Sequence, residues 1–172
     1  MFQKLGRKII IIGNSGSGKT TLSHQLGEML NIPVIHLDKE YWKEGWVTTP
    51  RDEWKEKVET LVSGSEWILD GNFGSTLELR LSRADTVIFL DFNRFVCLFS
   101  VIKRILRYLG KTRPDMAEGC PERFDLAFIK WILWTFPAKS RKEIKRCLAN
   151  HQDNEQIIIK SSVALKKFMA TA

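Results

Sequence analysis

Residues 9–21 read I-I-I-I-G-N-S-G-S-G-K-T-T, and no other stretch limits this chain as tightly. Four consecutive β-branched apolar residues predict a parallel strand buried on both faces. Gly13, Gly16, Gly18, Lys19 and Thr20 then follow in the spacing G-x-x-x-x-G-K-[ST], which is a phosphate-binding loop. The glycines let the backbone turn tightly and aim successive N–H groups inward, as an anion cradle. A helix starting near Lys19 turns its positive end to the same phosphates. The candidate nucleotide-binding residues are Gly13, Asn14, Ser15, Gly16, Ser17, Gly18, Lys19, Thr20 and Thr21. Lys19 is placed to reach the β- and γ-phosphates and the Thr20 hydroxyl to hold Mg²⁺. The competing reading is a Gly-rich strand-to-helix turn that binds nothing. The succession of strand, loop, Lys-Thr and amphipathic helix argues against it.

Beyond the loop, helix and strand patterns alternate. Leu22, Leu26, Met29 and Leu30 have helical spacing. Residues 33–38 read as a second strand that delivers Asp38 to its carboxyl end. Thr49 and Pro50 read as the N-cap and first position of a helix running to about Val62. Residues 66–72 predict a strand ending on Asp70-Gly71, and residues 85–91 a fourth, fully buried strand. A long helix over 94–109 follows, and then the Gly- and Pro-rich residues 110–121, the most loop-like part of the chain. Helices are expected over 121–136, 140–149 and 162–169, with a fifth strand over 156–160. Strands separated by helical crossovers predict an α/β fold: a five-stranded parallel sheet with helices on both faces. No repeat or linker interrupts the chain, so residues 1–172 are expected to form one domain with a lid-like segment at 110–122.

Composition narrows the class of partner more than the activity. A 44% hydrophobic and 27% charged content suits a globular chain. The formal net charge of +7 suits a polyanionic ligand, nucleotide or nucleic acid alike. Cys97, Cys120 and Cys147 are widely spaced, which argues against a disulfide framework or zinc site and for a reducing compartment. The first strand begins too early for a signal peptide and no apolar run is long enough to span a bilayer. The expectation is a cytoplasmic protein without membrane contact, as a monomer or homodimer.

Several side chains can carry chemistry. Asp70, at a strand end, is the candidate second metal ligand beside Thr20, against the alternative of a turn-capping Asp-Gly pair. Asp38 is placed to orient or deprotonate an acceptor hydroxyl, or else it caps a loop. Tyr41, Trp42 and Trp46 form either a stacking wall for a planar substrate or packing of a short helical excursion. Arg80, Arg83, Arg104, Arg107 and Arg113 are possible clamps on phosphoryl oxygens, with Arg104, Arg107 and Arg113 the better placed. His24 and His151 read as surface residues and His36 as a satisfied strand residue.

The order of phosphate-binding loop, strand ending in Asp38, strand ending in Asp70-Gly71 and basic helix with a short lid resembles the nucleoside monophosphate kinase group, whose plan shikimate and gluconate kinases share. More narrowly, H-L-D-K-x-Y-W-K-x-G-W from His36, D-G-N from Asp70 and G-K-T-R-P-D-M-A-E-G-C-P-E from Gly110 resemble the adenylate-kinase-related "DNA topology modulation protein" family. That resemblance implies ATP and Mg²⁺ at Gly13 to Thr20, strand order 2-3-1-4-5 in a three-layer fold, and a mobile Arg-bearing lid. Asp70-Gly71 is followed by Asn72-Phe73-Gly74, not by the Pro-Arg of adenylate kinases. The usual acceptor-phosphate arginine is therefore missing there, and Arg80 or Arg83 are the candidate substitutes.

Two functions follow as expectations. One is transfer of the γ-phosphoryl group of MgATP to a small acceptor, a nucleotide or related metabolite. The other is an ATP-hydrolysing regulatory protein on nucleic acid, motivated by the net charge and the basic residues 139–146. The first has a site in the sequence. The second has only charge, since no helix-turn-helix, zinc-finger or RNA-binding signature is present.

Overall fold

The structure, a computed structural model, describes residues 5–171. Five strands make one parallel sheet: β1 (Lys8–Gly13), β2 (Val34–His36), β3 (Trp67–Asp70), β4 (Thr86–Leu90) and β5 (Glu155–Ile159). Their spatial order is β2-β3-β1-β4-β5. That is the expected order once a two-residue hairpin, Trp42–Lys43 with Val47–Thr48, is left out of the count; the sequence reading did not include it. The fold is an α/β fold, a parallel sheet with helices on both faces.

Register explains where the site lies. Ile11 pairs with Asp70, Asp70 with His36, and Gly13 with Leu90. The carboxyl ends of the central strands therefore finish at one edge, beneath the loop that leaves β1. The four isoleucines of β1 are fully buried and alternate between two layers. Ile10 and Ile12 join Leu69, Val87 and Phe89 against α3 (Arg51–Leu61), α4 (Leu77–Leu81) and α7 (Arg141–Asn150). Ile9 and Ile11 join Ile68, Ile88 and Leu90 against α1 (Lys19–Leu30) and α8 (Ser162–Met169). Burying each such side chain contributes roughly 1.5–3 kcal/mol, which fixes the strand that launches the loop.

Three local expectations are corrected. The second strand stops at His36, because the chain turns at Leu37 into the short helix α2 (Leu37–Tyr41), and Asp38 sits in its first turn. Thr49 does not cap α3: its hydroxyl donates to the Tyr41 carbonyl and closes the hairpin, leaving Pro50 at the cap position. The helices expected over 121–136 and 140–149 form one run. It begins at α6 (Leu126–Lys130), capped by Asp125, and passes through a π-helical segment (Trp131–Ser140) into α7.

Pro137 lies inside that π segment. Proline has no N–H and crowds the carbonyl four residues back, so both the α and the π register lose a donor there. The carbonyls deprived are those of Leu133 and Ile132. Arg94, at the start of α5 (Arg94–Tyr108), donates to Leu133 O at 2.9 Å, and Asn14 Nδ2 donates to Ile132 O at 3.0 Å. Two side chains from elsewhere in the chain thus stand in for the missing N–H, and the helix continues instead of breaking.

Candidate active site

The loop is built by backbone conformations that only glycine enters cheaply. Gly16 has φ 81°, and a Cβ there would lie 2.3 Å from the Cys97 carbonyl oxygen of α5. Gly13, at φ 152°, would meet the Leu90 carbonyl at 2.6 Å. Asn72 holds Gly13 from the side: its Oδ1 accepts from Gly13 N at 3.0 Å and its Nδ2 donates to Gly13 O at 2.8 Å. Asn14 is 1% exposed, and its Oδ1 accepts from Ser15 N at 2.9 Å. No side chain caps α1. The N–H groups of its first turn are therefore left without a side-chain cap at the loop, an arrangement that suits an anion. Ser17, also buried in the loop, has a hydroxyl without a hydrogen-bond partner. Lys19 Nζ folds back on the Asn14 carbonyl at 3.2 Å.

Below the loop, Thr20 Oγ1 lies 2.8 Å from Asp70 Oδ2 and 3.3 Å from Asp115 Oδ2. His36 Nδ1 stands 3.1 Å from the same Asp70 oxygen. A hydroxyl beside a buried strand-end carboxylate is a hard-oxygen donor pair, which suits Mg²⁺ with its remaining positions filled by water and phosphate. The described residues hold no group of three or more His, Cys, Asp and Glu able to enclose a metal by themselves.

The segment at 110–122 lies folded over this end of the sheet. Gly110 N donates to Glu122 O and Glu122 N to Lys111 O, closing it at its base. Trp46 Nε1 donates to Pro121 O, and Gly45 N to Gly119 O, tying it to the hairpin. Arg113 pairs with Asp115 at 2.9 Å and with Glu122 at 2.9 Å, while Arg104 of α5 pairs with the other Glu122 oxygen at 3.0 Å and reaches Ser15 Oγ at 3.4 Å. One chain of charges therefore runs from the loop through Arg104, Glu122, Arg113 and Asp115 back to Thr20. Burial, then the neighbouring Arg113 charge, holds the Arg104 guanidinium below its ordinary value against the pull of Glu122. Glu122 and Asp115 were not singled out from sequence. Both lie in the loop-like segment, and only the fold shows which arginines they set.

A cavity of about 530 Å³ opens beside Ser15 and Lys19, and Arg104, Arg113, Trp42 and Trp46 line it. Asp38 also faces it, and its side chain is solvent-exposed there although the protein around the cavity is dense. Burial first, then the charge of Asp70, pushes the Asp38 carboxyl above its usual range, with Lys19 and Arg113 opposing. A smaller cavity of about 270 Å³ is lined by other loop residues, Gly16, Gly18 and Thr21, with Phe92, Ser162 and Leu165.

Other sequence candidates lie elsewhere. Tyr41 packs on Trp54 and Phe73 as part of the core. Arg80 is fully buried and donates to the carbonyls of Gly71, Asn72 and Phe73; burial pushes its guanidinium down to about 9. It shapes the turn after β3 and does not line the cavity. Arg83 and Arg107 are exposed and outside the cavity lining. Arg104 and Arg107 are three residues apart on α5, but only Arg104 lines the cavity. In the basic stretch, Arg141 and Lys145 engage Asp91 and Arg146 lies against Glu143. The three cysteines are free and buried, with the Cys97 and Cys147 thiols pushed up to about 11 by burial. Among the described residues no helix is long and apolar enough to cross a membrane.

No protein-family model matches the chain, and no curated protein matches it in sequence. Solved structures do. The chain is similar to a shikimate kinase from Acinetobacter baumannii in complex with shikimate, with TM-score 0.56 and 17% identity over 94% of this chain and 88% of that one. It is similar to the shikimate kinase of Aquifex aeolicus at TM-score 0.50 and 18% identity, covering 94% and 90%. A shikimate kinase from Bacteroides thetaiotaomicron gives TM-score 0.50 and 16% identity, covering 94% and 93%. At these identities the likeness establishes the P-loop kinase fold.

Proposed function

We propose that this chain is an ATP-dependent phosphotransferase that moves the γ-phosphoryl group of MgATP to a hydroxyl of a small acceptor. The observation that carries the reading is the convergence at one cavity of Lys19, Asp38 and the Arg104–Glu122–Arg113 array, with Thr20 and Asp70 in contact beneath. Motif likeness to the topology modulation family supports the same reading.

The triphosphate rests on the loop N–H groups, and Lys19 leaves the Asn14 carbonyl to meet the β- and γ-oxygens. Thr20 and Asp70 would hold Mg²⁺, which would supply positive charge beside the phosphates. Arg104 and Arg113, fixed by Glu122, stabilise charge spreading over the transferring group. Asp38 accepts the acceptor's hydroxyl proton, and its raised pKa brings it closer to the proton it must take. The smaller cavity, lined by the other loop residues, suits the nucleoside end of ATP.

The test is isothermal titration of ATP, with and without Mg²⁺, into wild type and Asp70→Asn. The reading requires Mg²⁺ to tighten ATP binding in wild type and to lose that effect in the variant. Equal affinity in all four arms would contradict it. Duplex DNA in a parallel arm separates the regulatory alternative, because DNA binding weakens steeply with salt.

A further inference from the structure

We infer that the outer side of α5 is a contact surface for a second copy of this chain, the two α5 helices packing antiparallel across a two-fold axis near Ile102. The inference goes beyond the phosphotransferase reading and does not depend on it.

α5 is apolar on two sides. Its inner side, Cys97, Val101 and Ile105, is buried against Ile132. Its outer side carries Phe95, Phe99, Ile102, Leu106 and, just past its end, Leu109, spaced by 4, 3, 4 and 3 residues. That is the spacing of a coiled-coil seam, in which each side chain seats between residues of a facing helix. A helix apolar all round is ordinarily covered all round. No other part of the described chain covers this outer side: Leu106 is 75% exposed and the other four are 39–61% exposed. At ~200 Å² for a fully exposed side chain of such size, the stripe and the neighbouring Val96, 50% exposed, leave on the order of 600 Å² of apolar surface. That is as large as the largest patch of an ordinary monomer, and most of the roughly 800 Å² per partner that a standard interface buries.

The order of the side chains points to the occupant. Counted from Ile102, the stripe lies at −7, −3, 0, +4 and +7, and reversed end for end it lies at −7, −4, 0, +3 and +7. An antiparallel copy therefore meets it within one residue at every position. Phe95 faces the partner's Leu109, Phe99 faces the partner's Leu106, and Ile102 faces the partner's Ile102. Each aromatic ring is matched to an aliphatic side chain, and what one copy gives at one end it receives at the other, as a two-fold contact requires. A foreign helix or a lipid surface has no use for such a palindrome.

The charges of α5 beside the stripe set the salt dependence. Arg94, Lys103 and Arg107 are exposed, and the first two lie over the Phe95 and Phe99 rings, at 5.1 and 4.4 Å. α5 carries no acidic residue. Across the axis these cations face like charge, so the contact is apolar in origin and tightens as salt screens them. An acidic helix or an anionic bilayer on the same face responds in the opposite sense.

The experiment is sedimentation equilibrium of the full chain, up to about 100 µM, where an interface of this modest size still associates. It is run at about 0.05 and 0.5 M salt. The proposal expects a monomer–dimer equilibrium that tightens several-fold at the higher salt. Leu106→Lys adds a cation to the seam at an exposed position, so it leaves the circular dichroism melt unchanged and weakens the dimer at least about tenfold. Orientation is read by oxidising a mixture of differently tagged Phe95→Cys and Leu109→Cys chains, which should link to each other in preference to themselves. The three native cysteines are buried and add little background. A monomer under all conditions, a dimer indifferent to Leu106→Lys or weakened by salt, or preferential self-linking would each overturn the proposal. Binding of the monomer to phosphatidylserine vesicles, lost in Leu106→Lys, would overturn it in favour of a lipid surface.

Discussion

Asn72 and Gly13 make a reciprocal pair, the side-chain amide of one meeting both backbone groups of the other at 3.0 and 2.8 Å. Asn72 follows β3 and Gly13 ends β1, so this amide locks the first residue of the phosphate loop to the neighbouring strand end. A side chain that satisfies two backbone groups at once leaves both unpaired when it is lost.

Asn72→Ala therefore loosens the loop where it leaves the sheet. The expected result is a loss of about 1–3 kcal/mol in stability and weaker ATP binding, read by denaturant melts and by titration. Asn72→Asp, which retains the acceptor but not the donor, falls between the two. A variant with unchanged ATP affinity would show that the pair is structural only.

Asn14 and Pro137 are coupled through the Ile132 carbonyl. Asn14→Ala strands that carbonyl beside a residue with no N–H, at a cost of about 1–3 kcal/mol. In a Pro137→Ala background the restored backbone N–H lets the helix satisfy the carbonyl itself, so the same change costs less. A double-mutant cycle is expected to return a coupling of roughly 0.5–3 kcal/mol. Strict additivity would mean that Asn14 does not replace the missing donor.

Much of this site is local and was readable without coordinates. The loop, its glycines and the strand that feeds it lie in thirteen consecutive residues, where spacing and chemistry coincide. Asp70 could be placed because strand ends in such sheets gather at one edge, whereas Asp38, expected at a strand end, lies instead in the first turn of α2. The roles of Arg80, Asn72 and Glu122 could not be read that way. Arg80 and Arg83 look equivalent in sequence, yet one is buried under three carbonyls and the other is exposed. Pro137 signals a helix break by every local rule, and the run continues because Asn14 and Arg94, distant in sequence, supply the hydrogen bonds.

Asp91, just past β4, is 4% exposed at its side chain and receives two hydrogen bonds from Arg141, at 2.6 and 2.8 Å, with Lys145 at 3.6 Å. Burial alone would raise its pKa, but the Arg141 hydrogen bonds and the charges of Arg141 and Lys145 outweigh it and hold the carboxyl below its ordinary value. An acid with a depressed folded pKa contributes stability above its unfolded value, near 3.9, and loses that contribution as pH falls through the folded value. Asp91→Asn should therefore cost most at neutral pH, with the gap to wild type narrowing below about pH 4. Thermal melts across pH 3–7 read this directly, and a gap independent of pH would reject the ion pair as its source.

The most direct test of phosphoryl transfer is ³¹P NMR of the protein with MgATP and an acceptor, in wild type and Lys19→Ala. Circular dichroism of both confirms equal folding. The account predicts a new phosphomonoester signal growing with ADP in wild type, and loss of turnover by about 10²–10³-fold or more in the variant, as for other removed transition-state charge donors. An unchanged kcat in Lys19→Ala, or ADP appearing only with inorganic phosphate whatever acceptor is present, would contradict it.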